Sequence, residues 1–194
     1  DLIDLNIKKN HSITLMPAIE FLMANAGLEP ADLDSIAVAK GPGSYTGLRI
    51  AVTTAKTLAS TLGIELIGVS SLAAIAANAC VKGKVIALID ARRQNVYAGI
   101  YEDKQLVNQE RHLSLSQLLS ELSQEKTVHF TGEIDGFREL ILASLPQAKF
   151  IENPERRLPN AYQIACLASH EKAVEVDYFE PEYLKKVEAE EKWL

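Results

Sequence analysis

Cysteine is scarce in this chain. Cys80 and Cys166 stand far apart with no metal-like spacing, which leaves no disulfide framework and reads as two reduced thiols packed in a core. Apolar runs of membrane-spanning length are missing, and no secretory leader is read at the start, so the expectation is a cytoplasmic protein without membrane contact. A basic stripe is missing too. The net charge is −6, and the basic residues fall in scattered pairs: Lys8-Lys9, Arg92-Arg93, Arg156-Arg157 and Lys185-Lys186. Neutralised phosphates supply most nonspecific RNA affinity, so any RNA substrate is expected to be held by a partner. Histidine is equally thin: His11, His112, His129 and His170 form no His-x-x-x-His pair. His129 reads as a strand residue, His112 and His170 as solvated surface. Ser44 lies in no Gly-x-Ser-x-Gly string, which excludes the hydrolase elbow.

What the chain does have is a core. Its 194 residues are 47% apolar and 24% charged, the balance of one or two small globular domains. One stretch organises it: Gly41-Pro42-Gly43-Ser44-Tyr45-Thr46-Gly47-Leu48-Arg49-Ile50. The apolar run Ser35–Ala39 before it reads as a buried strand, and the segment after it has helical spacing. Three glycines and a proline form the turn between them, with Ser44 or Thr46 as the helix cap. A strand, a glycine turn and a helix start together offer a phosphate cradle at the positive end of a helix. The Walker string needs Gly-Lys-Ser/Thr where this chain has Gly47-Leu48-Arg49, and the dinucleotide string needs a different glycine spacing. From the residues alone, a close-packed connection that binds nothing leads over a cradle.

The whole string nevertheless resembles the TsaB (YeaZ) family. Ala55-Lys56, Ile67–Leu72, Ile89-Asp90-Ala91-Arg92, Val96-Tyr97 and Pro181-Glu182-Tyr183-Leu184 continue the resemblance along nearly the whole chain. It implies an α/β fold of the ASKHA superfamily (actin-like, RNase H-like), with two related lobes. It also implies a role in forming threonylcarbamoyladenosine beside the anticodon of tRNA, as the non-catalytic subunit beside a TsaD-like catalytic paralogue and a TsaE-like ATPase. The tRNA is then met indirectly. No tightly bound cofactor is implied, with ATP or ADP at the partner interface. Gly41, Gly43, Ser44, Thr46, Gly47 and Arg49 are the residues expected near that nucleotide. The catalytic paralogues carry two metal-binding histidines at the first helix. Here His11 is followed four residues on by Leu15, so half that site is absent and no metal is expected. The alternative, suggested by an older label, is a stand-alone metal-dependent glycoprotease-like peptidase or transferase.

The pattern predicts lobes at 1–80 and 81–194. Ile3, Leu5 and Ile7 alternate with polar residues as in a half-buried strand, and relatives begin with a hairpin carrying an Asp-Thr-Ser-like turn, so about two strands are expected upstream. Helices are expected over 13–26, with Pro17 in the first turn, over 46–62, and from Ser70 or Ser71 through Ala79, with a strand at Ile64–Val69 between the last two. Strands 85–89 and 96–101 flank the turn Arg92–Asn95, where Asp90 and Arg92 offer either a pair with each other or a ligand contact, the structural pair leading. A third strand near 106–111, helix 116–122, strand 127–131, helix 134–145 and strand 148–151 follow. Glu152–Asn160 reads as an exposed loop, and a helix over 161–169 and an acidic tail close the chain.

Two helices are short of charge. Glu20 is the only charged residue between Ile13 and Gly27, and Lys56 the only one between Ile50 and Ile64. With Ile50, Thr53, Thr54, Thr57 and Thr61 on the outer face of the second helix, and His11, Leu15, Ala18 and Leu22 on the first, the pair is expected to form a helical interface. The catalytic partner would use it, or a second copy in a homodimer of the isolated chain. Gly47 is expected to sit too close to its strand to accept a Cβ.

Overall fold

The computed structural model describes residues 2–3 and 11–184, the side chain of His11 excepted. The chain packs as two compact units, one of Asp1–Val69 with Asn160–Pro181, the other of Ser70–Pro159 with Glu182–Leu194.

In the first unit, β1 (Ser35–Gly41) and β2 (Glu65–Ser70) form a two-stranded sheet. The expected strand 4–8 lies outside the described residues. The long helix α2 (Tyr45–Leu62) lays Val52, Ala55 and Ala59 against Val38 and Leu66, at the period the sequence shows. Helix α6 (Ala161–Ala168) comes back to the same unit, where Ala168 packs with Ile67 and Val69. Residues beyond α6 complete this core: Val174 forms an isolated antiparallel bridge with Leu66, and Phe179 is buried beside it. Lys56 does not face outward as a surface charge. Its Nζ donates to the carbonyl oxygens of Asp177 (3.0 Å) and Phe179 (2.8 Å), fixing this return segment to α2.

Helix α1 runs His11–Ala26, two residues longer at its start than expected. Pro17 therefore lies inside the helix rather than in its first turn, a correction to the sequence reading. Its missing N–H leaves one carbonyl of the preceding turn without its helical donor.

The second unit is a sheet in the order β5–β4–β3–β7–β8, with β6 also on β4. Its strands are β3 (Lys84–Asp90), β4 (Asn95–Glu102), β5 (Gln105–Leu106), β6 (Arg111–Ser114), β7 (His129–Gly132) and β8 (Lys149–Phe150). β3 and β4 pair antiparallel, while β7 and β8 join parallel. Antiparallel meander first, parallel crossovers after: this is the strand order of an ASKHA lobe. β3 is covered on both faces. Ile86 and Leu88 meet α4 (Leu115–Glu121) and α5 (Arg138–Ser144), while Val85 and Ala87 meet α3 (Ser71–Asn78). That is why β3 reads as an unbroken apolar run.

Four sequence expectations change here. The third strand is split into β5 and β6, because Glu110 between them turns toward Ser70 and Tyr101 instead of continuing the ladder. His112 is not a surface residue but packs its ring against Tyr97, with centroids 5.3 Å apart. The stretch 152–160 is not a plain loop: it holds a 3-10 helix, Pro154–Arg157, capped by Asn153, and Asn78 donates to the carbonyls of Glu155 and Leu158. Both cysteines are exposed, not core thiols. α3 belongs with the sheet it covers, and α6 crosses back to β1.

Candidate functional site

The glycine loop joins β1 to α2 in the first unit. β1 ends at Gly41, buried with φ 126°, a backbone setting that glycine alone adopts freely. A cis peptide joins it to Pro42. Ser44 then caps α2, its Oγ accepting from the Gly47 N–H at 3.4 Å. Of the two capping candidates, the structure selects Ser44; Thr46 is an exposed first-turn residue. Arg49 places its guanidinium over the Tyr45 ring, 4.2 Å from the centroid.

Gly43 and Gly47 are looser than the sequence suggests. A Cβ on Gly43 would meet only Leu48, at 3.8 Å, and one on Gly47 only Ser44, at 3.5 Å. The expected crowding at Gly47 is absent because the helix start turns this position to the α1 side. Gly47→Ala is therefore expected to leave the unfolding free energy from urea titration unchanged or raised by up to about 1 kcal/mol, from helix propensity. Ser44→Ala should lower stability by about 0.5–1 kcal/mol, the mild end for a long capping bond. A larger loss at Gly47 than at Ser44 would contradict this geometry.

Along the seam of α1 and α2 runs an apolar cleft of about 630 Å³. Leu15, Ala18 and Leu22 of α1 line it together with Gly47 and Ile50 of α2. Of these, the expected interface residues Leu15, Ala18, Leu22 and Ile50 are half-buried and turned to the cleft, rather than lying on the outermost surface. Leu15 stands one helical turn after His11, where a second metal ligand would be needed. An alkyl side chain lining an apolar cleft cannot ligate, so a paired-histidine metal centre does not fit this chain. The side chain of His11 lies outside the described residues.

Sequence reasoning missed the outward surface. On α1, Ile13 is 67% exposed, Phe21 62% and Met16 46%, and at the start of α2 Tyr45 is 52% exposed. Glu20 is the one charged side chain of α1. On α2, Thr53, Thr57 and Thr61 are exposed as expected, while Thr54 and Ile50 are half-buried. α1 is apolar on nearly every side, so its spacing alone could not say which side faces out.

In the second unit, charged groups gather at the carboxyl ends of the parallel strands. The Asp90 carboxylate accepts from the Arg92 N–H at 2.7 Å and lies 3.6 Å from its guanidinium, the pairing the sequence suggests. Glu133 accepts the Asp90 N–H at 2.8 Å. Arg157 bonds Asp135 at 2.6 Å and holds its carboxyl below the usual range, and Arg138 does the same for exposed Glu152. Tyr101, buried and donating to Glu110, has its phenol pushed far above the ordinary value by burial first and that carboxylate second.

Comparison with known proteins places these features in a lineage. Residues 6–193 match the family described as "TsaD: tRNA N6-adenosine threonylcarbamoyltransferase". The Bacillus subtilis tRNA threonylcarbamoyladenosine biosynthesis protein TsaB is 38% identical over 97% of this chain and 85% of its own length. The Escherichia coli protein of the same name is 28% identical over 91% of this chain and 81% of its own. Among solved structures, YeaZ from Pseudomonas aeruginosa superposes with a TM-score of 0.77 at 29% identity, covering 91% of this chain and 86% of that one. A second P. aeruginosa structure, described as similar to peptidase YEAZ, gives 0.76 at 28% identity over 92% and 86% of the two chains.

Proposed function

This chain belongs to the TsaB (YeaZ) family, and from that premise we propose that it is a non-catalytic subunit in threonylcarbamoyladenosine formation on tRNA. It binds and supports a TsaD-like catalytic paralogue through α1 and α2, with a TsaE-like ATPase completing the machinery. The transferase chemistry resides in the paralogue, in keeping with Leu15 where a second histidine would be needed.

The observation that carries the reading is the apolar face of α1 and the first turn of α2. Ile13, Met16, Phe21 and Tyr45 stay exposed with Glu20 as the single charge on α1. Aromatic and methionine side chains with few charges are the composition of a subunit interface core. The 630 Å³ cleft beside them gives partner side chains somewhere to enter. The glycine loop lies at the N-terminal end of this same seam, Gly47 lining the cleft. ATP or ADP would therefore meet Gly41–Arg49 only with the partner in place. Without the partner, a second copy of this chain takes the same face. Among the described residues no helix is long and apolar enough to cross a membrane.

Reconstitution tests this directly. Purified catalytic paralogue, ATPase and tRNA, supplied with ATP and a preformed, activated threonylcarbamoyl donor, should yield threonylcarbamoyladenosine with this chain and little without it. Equal yield in its absence overturns the assignment.

A further inference from the structure

Lys56 is the only charged residue between Ile50 and Ile64, and its ammonium is committed to main-chain carbonyls, those of Asp177 and Phe179. Both carbonyls belong to a strap, residues 174–181, that closes over the core of the first unit. Three fastenings hold it. The Val174 N–H reaches the Leu66 carbonyl at 2.8 Å. Phe179 seats its ring against Gly68, where an added Cβ would stand 2.6 Å from the ring. Lys56 supplies the third, tying the turn around Tyr178 to α2. Much of the rest faces outward: residues 169–173 before the strap are exposed, as are Glu175, Asp177, Tyr178 and Glu180 within it. Phe179 is its one buried side chain. A chain segment with so few buried contacts opens locally, well before its domain unfolds.

Opening of the strap reaches the partner face through α2. Gly47 and Ile50 line the 630 Å³ cleft shared with α1, and Leu58 and Thr61 line a second such cleft of about 480 Å³. At about 3.6 residues per turn, Lys56 leaves the helix on the opposite flank. Between the two flanks, Val52, Ala55 and Ala59 share a core with Val174, Val176 and Phe179. With the strap closed, α2 is held from both sides. With the strap open, Phe179 leaves that core, α2 rests on a two-stranded sheet, and its placement against α1 slackens. A partner that fits the closed arrangement favours closure, and closure favours that partner by the same factor.

We propose that the strap is a latch on the α1–α2 face, with Lys56 the positioning residue that keeps it shut. The proposal rests on the functional reading above and deepens it: the catalytic paralogue pairs with the latched form. Lys56 acts through α2 rather than by meeting the partner.

Amide hydrogen exchange of the parent chain, alone and saturated with the catalytic paralogue, tests the coupling without any substitution. The Val174, Tyr178 and Phe179 amides should exchange at least about fivefold more slowly in the complex. K56M keeps the apolar stem and loses the donor. Its strap amides should exchange faster, those of β3 and β7 should not, and it should pair about tenfold more weakly, as for a strap closed about a tenth of the time. K56R keeps a cationic donor and should pair within about threefold of the parent. F179A releases the strap at another fastening. K56M/F179A should then pair within about twofold of F179A alone, because affinity bottoms out at that of the open form. Strap exchange that ignores the paralogue overturns the latch. So does K56M with parent-like strap exchange, or with a loosened strap and parent-like pairing. Multiplying losses in the double variant overturn it too, since they would mark two separate structural defects. A parent chain that does not pair with the paralogue at all overturns the functional reading, and the latch with it.

Discussion

Gly132→Ala is expected to destabilise the second unit by about 3–5 kcal/mol, a loss that few single methyl groups cause. Gly132 ends β7 with φ 89°, and an added Cβ would stand 2.1 Å from the backbone carbonyl oxygen of Leu88. No side-chain rearrangement can relieve that contact, because the obstruction is the neighbouring strand itself. Either the Leu88–Gly132 register opens or the turn after it does. Both losses spread. The turn lets the Glu133 N–H reach Leu88 O at 2.9 Å and brings the Glu133 carboxylate to the Asp90 N–H. Gly136→Ala is the control, with no atom within 4 Å of its Cβ and no left-handed φ. Urea unfolding followed by far-UV circular dichroism should show a much lower midpoint for the first and an unchanged one for the second. Similar midpoints would show that β3 and β7 are not packed this closely.

The second large effect concerns association rather than folding. Replacing both Ile13 and Phe21 with glutamate should abolish co-purification with the catalytic paralogue and bring reconstituted tRNA modification down to its level without this chain. Phe21 and Ile13 are 62% and 67% exposed, so the substitutions remove little from this chain's own core. An aromatic anchor at an interface centre is worth about 2–4 kcal/mol, roughly a 30- to 1000-fold change in affinity, and two desolvated carboxylates add to that. The variant's unfolding midpoint should stay near the parent's. Thr53→Glu on the exposed side of α2 should weaken pairing more gently. Thr54 is a poorer probe because it is half-buried. Undiminished pairing in the double variant would place the interface elsewhere.

Much of this was legible in the chain itself, and the illegible parts share a cause. The glycine loop, its serine cap and the inner face of α2 are local features, written in glycine, serine and a 3.6-residue period. The Asp90–Arg92 pair and the β3–β4 hairpin are equally local. Tertiary context decided the rest. Which side of α1 faces out depends on where α2 lies, since Leu15 and Phe21 are equally apolar in sequence. Gly47 drew attention for its motif and proves roomy, whereas Gly132, alone in Thr131-Gly132-Glu133, is pressed against the backbone of a neighbouring strand. Glu110 splits a strand because Ser70 and Tyr101, distant in sequence or across a hairpin, offer it hydroxyls.

The interleaving of the two units bears on how the chain acquires its structure during synthesis. Ser70–Pro159 is continuous, so its sheet can close as soon as that stretch has left the ribosome. The first unit is made earlier yet finished later: β2 awaits Val174, α2 awaits the carbonyls for Lys56, and Phe179 is the last large side chain of its core. Until then α2 and its neighbours stay incompletely covered, with their longest-range contacts unmade. The helices proposed for partner binding thus belong to a unit whose core closes long after they are made, and a partner can recognise a finished face only once translation has passed Phe179.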